Sequence, residues 1–221
     1  MKQTLIIFCI LLFGVVNVKA QFIDRYSISV GTTYATQEWN NPLSSAWKLN
    51  TDYRFGYAAF LSAEKNLNKL FVLQSDIGYM QKGFINDLDL YFVDGTSAGT
   101  IDKDVIFHNL ALDLTFKITP FSTKFAPYVL LGARGEYLLD YKDSYFTEDG
   151  SGLVFPMLGD RINEFNKLGL NGVAGIGIEL GNLFYFDIEY SHNLSRKTDD
   201  VALEIEDICW MAKLGYYFKS N

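Results

Sequence analysis

The chain alternates apolar and polar residues in about eight separate segments, and this two-residue period constrains its fold more than any other feature. Successive side chains of a β-strand point to opposite faces, so each segment predicts a strand with one apolar and one polar face. The connections between the segments are alternately long and short. Consecutive antiparallel strands joined by alternately long and short connections are typical of an up-and-down β-barrel of the transmembrane, outer-membrane type.

Turn signals separate the segments, such as Pro120, where no ladder hydrogen bond is needed, and the pair Gly181–Asn182. In chain order, the predicted strands cover about residues 25–35, 53–65, 70–82, 105–119, 125–142, 167–180, 184–195 and 203–218. The longer connections follow the first, third, fifth and seventh strands. We therefore expect an all-β, antiparallel, eight-stranded barrel with all its long connections at one end.

The first twenty residues have the features of a secretory signal peptide. Lys2 gives a positive start, an apolar run covers Leu5–Val16, and small residues stand at the two critical positions before a cut that follows Ala20. The apolar run is too short for a membrane-spanning helix. The predicted organisation is a signal peptide over residues 1–20 and one outer-membrane barrel domain over residues 21–221.

Composition narrows the classes of partner. Loss of Lys2 and Lys19 from the 19 basic residues would leave 17 against 26 acidic ones, which argues against a nucleic-acid partner. The 14 Tyr and 18 Phe fit aromatic girdles at two membrane interfaces. Cys209 would be the only cysteine of residues 21–221, so no disulfide within the chain is expected.

Alternation alone leaves open which face points into the barrel. A soluble, lipocalin-like barrel would turn its apolar face inward and could bind an apolar ligand there. The polar face combines charges with glycines, which suits the narrow interior of eight strands, and aromatic residues of the apolar face lie near strand ends. The sequence therefore favours an apolar face toward lipid.

The polar face then predicts a network of charges inside the barrel. Its structural interpretation is a plug of ion pairs, because unpaired charge in a dry lumen is costly; a narrow cation-preferring path is the alternative. The predicted interior charges are Arg25, Arg54, Glu64, Asp76, Asp113, Lys117, Arg134, Glu136, Glu179, Asp187, Glu189 and Lys213.

Four segments carry a resemblance to a known family. The segments are ISVGTTY at 28–34, LGARGEY at 131–137, NGVAGIGIEL at 171–180 and the closing AKLGYYF at 212–218. With the signal peptide, they resemble the outer-membrane β-barrel (PorT-like) proteins of Bacteroidota, and the general architecture is similar to the transmembrane domain of the OmpA/OmpX group. The resemblance covers the whole of residues 21–221. It implies an outer-membrane location and an eight-stranded barrel, and it transfers no catalytic residue.

Catalytic and metal-binding patterns are weak. Some eight-stranded barrels are lipid-modifying hydrolases with a His–Ser pair, but the parity of His192 places Ser191 and Ser195 on the opposite face, out of hydrogen-bond reach. His108 is expected to be an interfacial residue. The acids of the second long connection lack the spacing of an EF-hand loop, so solvated side chains are expected rather than a Ca²⁺ site; they are Asp87, Asp89, Asp94, Asp102 and Asp104. No cofactor and no catalytic residue are predicted.

The function predicted from the sequence is that of a non-enzymatic membrane anchor. Its long connections would serve structural or binding roles outside, with outer-membrane lipid as one partner and extracellular or secretion-machinery proteins as possible others. A small channel or a component of a secretion machine is the first alternative. A lipid-modifying enzyme and a soluble barrel that binds an apolar ligand are the others.

Overall fold

The computed structural model describes residues 23–41, 48–86, 95–96, 99–120, 124–148, 153–156, 158–181, 183–200 and 203–218. The predicted signal peptide and its cleavage site lie outside these residues, as do Asp87, Asp89 and Asp94. Among the described residues, no helix is long and apolar enough to cross a membrane.

Eight long antiparallel strands form the wall of a barrel. They are β1 (Arg25–Asn40), β2 (Asp52–Asn66), β3 (Phe71–Ile85), β4 (Asp104–Ile118), β5 (Phe125–Lys142), β6 (Leu168–Leu180), β7 (Phe184–Asn193) and β8 (Glu204–Phe218). Each pairs with its neighbours in sequence, and β1 also pairs with β8. The predicted eight-stranded up-and-down barrel is confirmed.

The pairing register fixes the width of the barrel. The paired residues, followed once around the wall from Tyr26, lead back to β1 at Thr36, an offset of ten residues. With eight strands, this offset tilts each strand by about 42° and places the backbone about 8 Å from the barrel axis. Side chains that point inward from opposite sides therefore meet at the centre.

Two strands extend further than the sequence predicts. β1 continues past residue 35 to Asn40, because its upper half pairs with β8 as far as Glu204. β3 likewise continues to Ile85 beside the start of β4. The barrel wall therefore extends further toward the long connections than the apolar–polar alternation of the sequence predicts.

The long connections contain structure of their own. A short strand, Lys48–Asn50, pairs with the end of β1, and a separate three-stranded sheet joins Gly99–Asp102, Tyr145–Glu148 and Val154–Pro156. A 3₁₀ helix, Gly159–Glu164, precedes β6. At the other end, which we call the short-turn end, the described residues of the short connections are 67–70, 119–120, 124, 181 and 183.

Exposure of the side chains decides which face points outward. On β4, Leu112 is 57% exposed whereas its neighbour Asp113 is 1% exposed, and the same alternation recurs along every barrel strand. The apolar face is on the outside and the charged face is inside. This arrangement contradicts the soluble-barrel alternative, which requires an apolar interior.

Candidate functional site

The lumen holds the largest cluster of polar side chains, and they lie in three layers. In the lower layer, nearest the short-turn end, the Lys117 ammonium lies 2.7 Å from the Glu64 carboxylate and 3.2 Å from that of Glu179. The Arg25 guanidinium contacts the same two carboxylates at 2.6 and 2.7 Å. The Lys117 ammonium also donates a 2.8 Å hydrogen bond to the Tyr217 hydroxyl. Two cations balance two anions, so this layer is neutral.

The middle layer is centred on two buried cations. The Arg134 guanidinium donates two hydrogen bonds to Asp113, of 2.7 and 2.6 Å, and a third to Glu189 of 2.8 Å. The Lys213 ammonium lies 2.5 Å from Glu189 and 3.4 Å from Asp76. Such charge-assisted and two-pronged contacts are the strongest hydrogen bonds that side chains make.

Carboxylates outnumber cations in the middle layer, and neutral donors supplement the ion pairs. Asp187 lies 3.8 Å from the Lys213 ammonium and accepts a hydrogen bond from the Tyr128 hydroxyl. The Gln74 amide donates to both carboxylate oxygens of Asp76, at 2.9 and 3.0 Å. The tyrosine and the glutamine thus stabilise charge where no third cation is present among the described side chains.

The upper layer links the lumen to a long connection. The Lys82 ammonium lies 2.7 Å from the Glu136 carboxylate and 3.1 Å from that of Asp207. Lys197, which precedes β8, reaches in to within 2.6 Å of Asp207, and the Gln37 amide donates a 2.6 Å hydrogen bond to the same carboxylate. The β7–β8 connection is therefore held against the lumen by a buried ion pair.

Eleven of the twelve predicted interior charges lie in these layers, and Arg54 does not. The pairing of β2 with β3 shifts register between Tyr53 and Ala58, so a bulge places Arg54 above the layers. Its guanidinium donates to the Phe55 carbonyl at 2.8 Å and lies 3.7 Å from the Asp104 carboxylate. It also donates a 3.3 Å hydrogen bond to the side-chain oxygen of the buried Gln81, and the Arg54 side chain is only 15% exposed. The inclusion of Arg54 in the interior network stays a prediction.

Several lumen residues were not among the predicted site residues. Lys82 and Asp207 share the parity of the predicted Asp76 and Lys213, so extending the alternation along β3 and β8 could have found them. Lys197 could not have been found in this way, because it lies in a connection. Three buried tyrosines also line the lumen and could have been found from alternation, since they share the inward face of their strands with the predicted charges; they are Tyr128, Tyr185 and Tyr217.

Glycines that face the lumen make room for two of these tyrosines, Tyr128 and Tyr185. A Cβ on Gly177 would lie 2.4 Å from the Tyr128 ring, and a Cβ on Gly215 would lie 2.0 Å from the Tyr185 ring. Both tyrosine side chains are almost fully buried. The small residues predicted to accompany the interior charges therefore have a packing role in this narrow barrel.

An apolar cap lies over the upper layer of the lumen. Its three residues, Leu158, Ile162 and Phe165, are buried at the end of the β5–β6 connection. They pack on inward apolar side chains at the strand ends, namely Trp39, Phe84, Val105, Phe107 and Ile205. The described part of the barrel therefore has an apolar cluster over its charged layers.

Hydrogen bonds fix the cap in place. The Asp143 carboxylate accepts hydrogen bonds from the backbone N–H groups of Leu158, at 3.1 Å, and Gly159, at 3.0 Å. The Asn166 N–H donates a 2.7 Å bond to the Lys197 carbonyl. Both the β5–β6 and the β7–β8 connections thus contribute to the closure.

The outer wall carries aromatic side chains in two rings with aliphatic residues between them. Stacked or tilted pairs occur in both rings, for example Tyr34–Tyr53 at 4.5 Å and Phe184–Tyr216 at 5.3 Å between ring centroids. The ring at the short-turn end comprises Tyr26, Phe71, Phe125, Phe184, Phe186, Tyr216 and Phe218. The ring toward the long connections comprises Tyr34, Tyr53, Phe55, Tyr57, Tyr79, Tyr137, Tyr141, Tyr190 and Trp210.

The two histidines lie on different strands, and His192 lines a cavity of about 210 Å³ together with Ser195. The Nδ1 atom of His192 is buried without a hydrogen-bond partner. The Ser191 hydroxyl donates to the Cys209 carbonyl at 3.4 Å, and the Ser195 hydroxyl accepts from the Leu170 N–H at 2.9 Å. The separation of His192 from both serines stays a prediction. His108 lies in β4, and its Nδ1 is 2.5 Å from the Tyr79 hydroxyl.

Outside the wall, one carboxyl group has a shifted pKa. A backbone hydrogen bond of 2.7 Å from the Asn66 N–H lowers the pKa of Asp24 below its usual value, and the Lys65 ammonium, 3.2 Å away, acts in the same direction. Asp24 thus fastens the start of the chain's first strand to the end of β2. Among the described residues, no group of His, Cys, Asp or Glu could hold a metal ion.

Comparison with known proteins gives only distant likenesses. No family model matches the chain, and no curated protein matches it. Among solved structures, the Yersinia pestis attachment invasion locus protein Ail is 19% identical, with a TM-score of 0.44 over 88% of this chain and 98% of its own. Neisserial surface protein A is 13% identical, with a TM-score of 0.47 over 87% and 97%.

A third solved structure, the outer membrane protein OprG of Pseudomonas aeruginosa, is 12% identical, with a TM-score of 0.44 over 90% of this chain and 98% of its own. Because all three identities are below 25% and all three TM-scores are below 0.5, nothing about the role of this chain follows from them. The resemblance to the PorT-like family stays a prediction.

Proposed function

We propose that this chain is a non-enzymatic barrel of an outer membrane, which anchors itself by its wall and presents its long connections outside for structural or binding roles. The observation that carries the proposal is the apolar wall. Large apolar side chains such as Leu112, Leu114 and Ile176 are about half exposed or more, and comparable ones lie on all eight strands. Water would make such a surface costly, since each apolar side chain left uncovered forgoes about 1.5–3 kcal/mol.

The height of the apolar wall supports insertion into a bilayer. Eight residues separate the aromatic Tyr26 from Tyr34 on β1, and eight separate Trp210 from Phe218 on β8. At the tilt of these strands, that distance spans about 20 Å, close to the apolar band of about 25 Å in transmembrane barrels. The aromatic rings then lie where interfacial Tyr, Phe and Trp belong.

The connections above the wall support a binding role outside. Leu153 and Val154 are 54% and 56% exposed, and they belong to the connection that forms the three-stranded sheet, away from the apolar wall. Lipid that covers the wall does not cover these side chains. Exposed apolar residues away from the membrane are a common mark of a protein interface.

Fractionation combined with gel mobility tests the proposal. The protein should stay with the outer membrane, require detergent for extraction, and run at a different apparent mass before and after boiling, because a folded barrel resists the cold detergent of the gel. Recovery as a soluble protein without detergent would contradict membrane insertion. Loss of the mobility difference in a purified, detergent-solubilised sample would contradict a stable barrel.

A further inference from the structure

The outer wall has one groove that lies close to a basic turn. It has a volume of about 480 Å³ and is formed by β5, β6 and β7 near the short-turn end, with Pro120 at its lower limit. The pairing register builds it from two adjacent rows, Val129–Ile176–Ile188 and Pro127–Ile178–Phe186. Its lining is apolar, so it suits a hydrocarbon chain.

A local change in the wall creates the groove. β4 ends at Ile118, which pairs with Val129, so β5 has no β4 partner at Pro127. Proline has no N–H to leave unpaired there, and its ring is shorter than the side chains around it. Pro127 and the end of β4 thus leave a recess between the aliphatic rows.

Lys124 follows the groove-lining Pro120 by four residues and supplies a positive charge below the groove, which indicates the kind of molecule that fits. The carbonyl of Lys124 accepts a 2.7 Å hydrogen bond from the Gly181 N–H, so Lys124, just before β5, lies beside Gly181, just after β6. Lys124 itself is exposed. The three short turns contain two basic residues, Lys69 and Lys124, and no acidic one, whereas the long connections are rich in acids.

We propose that this groove binds one acyl chain of an anionic phospholipid, whose headgroup phosphate is held by Lys124. The inference rests on the proposed function, because the groove meets lipid only if the wall lies in a bilayer. A lysine near a membrane surface attracts an anionic headgroup more strongly than a zwitterionic one. The groove therefore binds one preferred kind of lipid at one place on the wall, whereas lipid covers the rest of the wall without selection.

Native mass spectrometry of residues 21–221 folded in a neutral detergent tests the inference. The probes are phosphatidylglycerol and phosphatidylcholine with identical acyl chains, added in equal amounts. We expect one retained phosphatidylglycerol per barrel, favoured over phosphatidylcholine by about fivefold, the effect of one surface lysine. Lys124→Gln should bring the ratio near one while an acyl chain is still bound.

Variants of the wall test the groove itself. Ile178→Trp should fill it and abolish retention, whereas the matched change Leu112→Trp on the wall of β4 should leave retention unchanged. Val129→Trp fills the same recess and replaces Ile178→Trp if that variant does not fold. The gel-mobility shift establishes folding for each variant.

Several outcomes would overturn the inference. Equal retention of both lipids by the wild type would exclude a role for Lys124. Equal loss of bound lipid in Ile178→Trp and in Leu112→Trp would mean that the lipid belongs to a non-selective shell around the whole wall. A dimer that disappears in Ile178→Trp would assign the groove to a second copy of this chain. A folded, detergent-requiring barrel that retains no lipid refutes this inference alone, whereas a soluble protein refutes the proposed function.

Discussion

Single residues in this barrel are constrained by the width of the lumen more than by strand propensity. Glycines face inward next to large side chains, and two of them leave the space that Tyr128 and Tyr185 occupy. Charged residues face inward only with partners within hydrogen-bond distance, as Lys117 does with Glu64. A buried side chain that loses either its space or its partner has nowhere to move, because the wall is a closed sheet.

Two glycines of β5 allow a matched test of this constraint. A Cβ on Gly132 would lie 2.2 Å from the Leu114 carbonyl oxygen and 2.7 Å from the Thr115 Cα, both backbone atoms, whereas on Gly135 the nearest atom would be 3.8 Å away. We expect Gly132→Ala to lower the free energy of unfolding by about 1–3 kcal/mol. Gly135→Ala should change it little. Urea titration of the folded protein in lipid vesicles measures both, and similar midpoints would contradict the packing argument.

Lys117 provides the corresponding test for charge. Lys117→Met leaves the carboxylates of Glu64 and Glu179 without their shared lysine, and breaking a buried ion pair in this way costs about 3–5 kcal/mol. Lys69→Met, in an exposed turn, is the control and should have almost no effect. Glu64→Gln added to Lys117→Met should recover part of the loss in the same urea titration. A single variant as stable as the control would show that the lower layer contributes little.

Asp24 makes the attachment of the first strand dependent on pH. Because the pKa of Asp24 is lowered in the folded state, its contribution to stability is present above its unfolded value of about 3.9 and is lost as the pH falls through the folded value. Asp24→Asn should therefore unfold at lower urea than the wild type at neutral pH. At a pH of about 2 the two proteins should have the same midpoint. A difference that persists there would mean that the hydrogen bonds to Asn66 and Lys65 are not what the carboxylate contributes.

At the scale of strands, the apolar–polar alternation of the sequence predicted the regular features of the barrel and missed the irregular ones. The eight strands and the inward position of eleven charges follow from a period of two, because a closed wall buries every second side chain. The register shift between β2 and β3 beside Arg54 could not be predicted in this way, since a bulge changes the pairing without any change in composition. The upper parts of β1 and β3 were missed because their inner residues, such as Trp39 and Phe84, are apolar, so the apolar–polar contrast disappears where the cap packs.

The cap itself could not be predicted, because its three residues lie in a connection with no period. Its effect can be measured through Cys209, which is buried in the lumen and is the only cysteine of residues 21–221. Phe165→Ala should weaken the cap by about 3–5 kcal/mol. The rate at which a water-soluble maleimide labels Cys209 should then rise by at least about tenfold.

The exposed Leu153 provides the control for the labelling experiment. Leu153→Ala changes the same connection without touching the cap, so its labelling rate should equal that of the wild type. Rapid labelling of the wild-type protein, with the gel-mobility shift intact, would show that the cap does not exclude water from the lumen.

At the scale of the whole molecule, the width of the lumen, its layers of side chains and its cap all oppose the passage of ions. The ten-residue offset makes the barrel narrow, three layers of side chains fill it, and the cap covers one end. An ion on the axis would have to displace buried ion pairs such as Arg134–Asp113, whose atoms are 2.6 Å apart. We therefore infer that the lumen is not a route for ions, which agrees with the proposed role of the wall as an anchor.

Planar-bilayer recordings test this whole-molecule prediction. The purified, folded barrel should insert without steady current, and Phe165→Ala should also be silent, because weakening the cap leaves the lower and middle charged layers in place. Replacement of Arg134 and Lys213 together by alanine should produce current only if the barrel stays folded by gel mobility, since these two cations hold the middle layer together. A steady cation-selective current through the wild type would instead support the narrow-path interpretation of the interior acids. In that case the excess of carboxylates over cations in the middle layer, rather than the ion pairs, would determine how the lumen conducts cations.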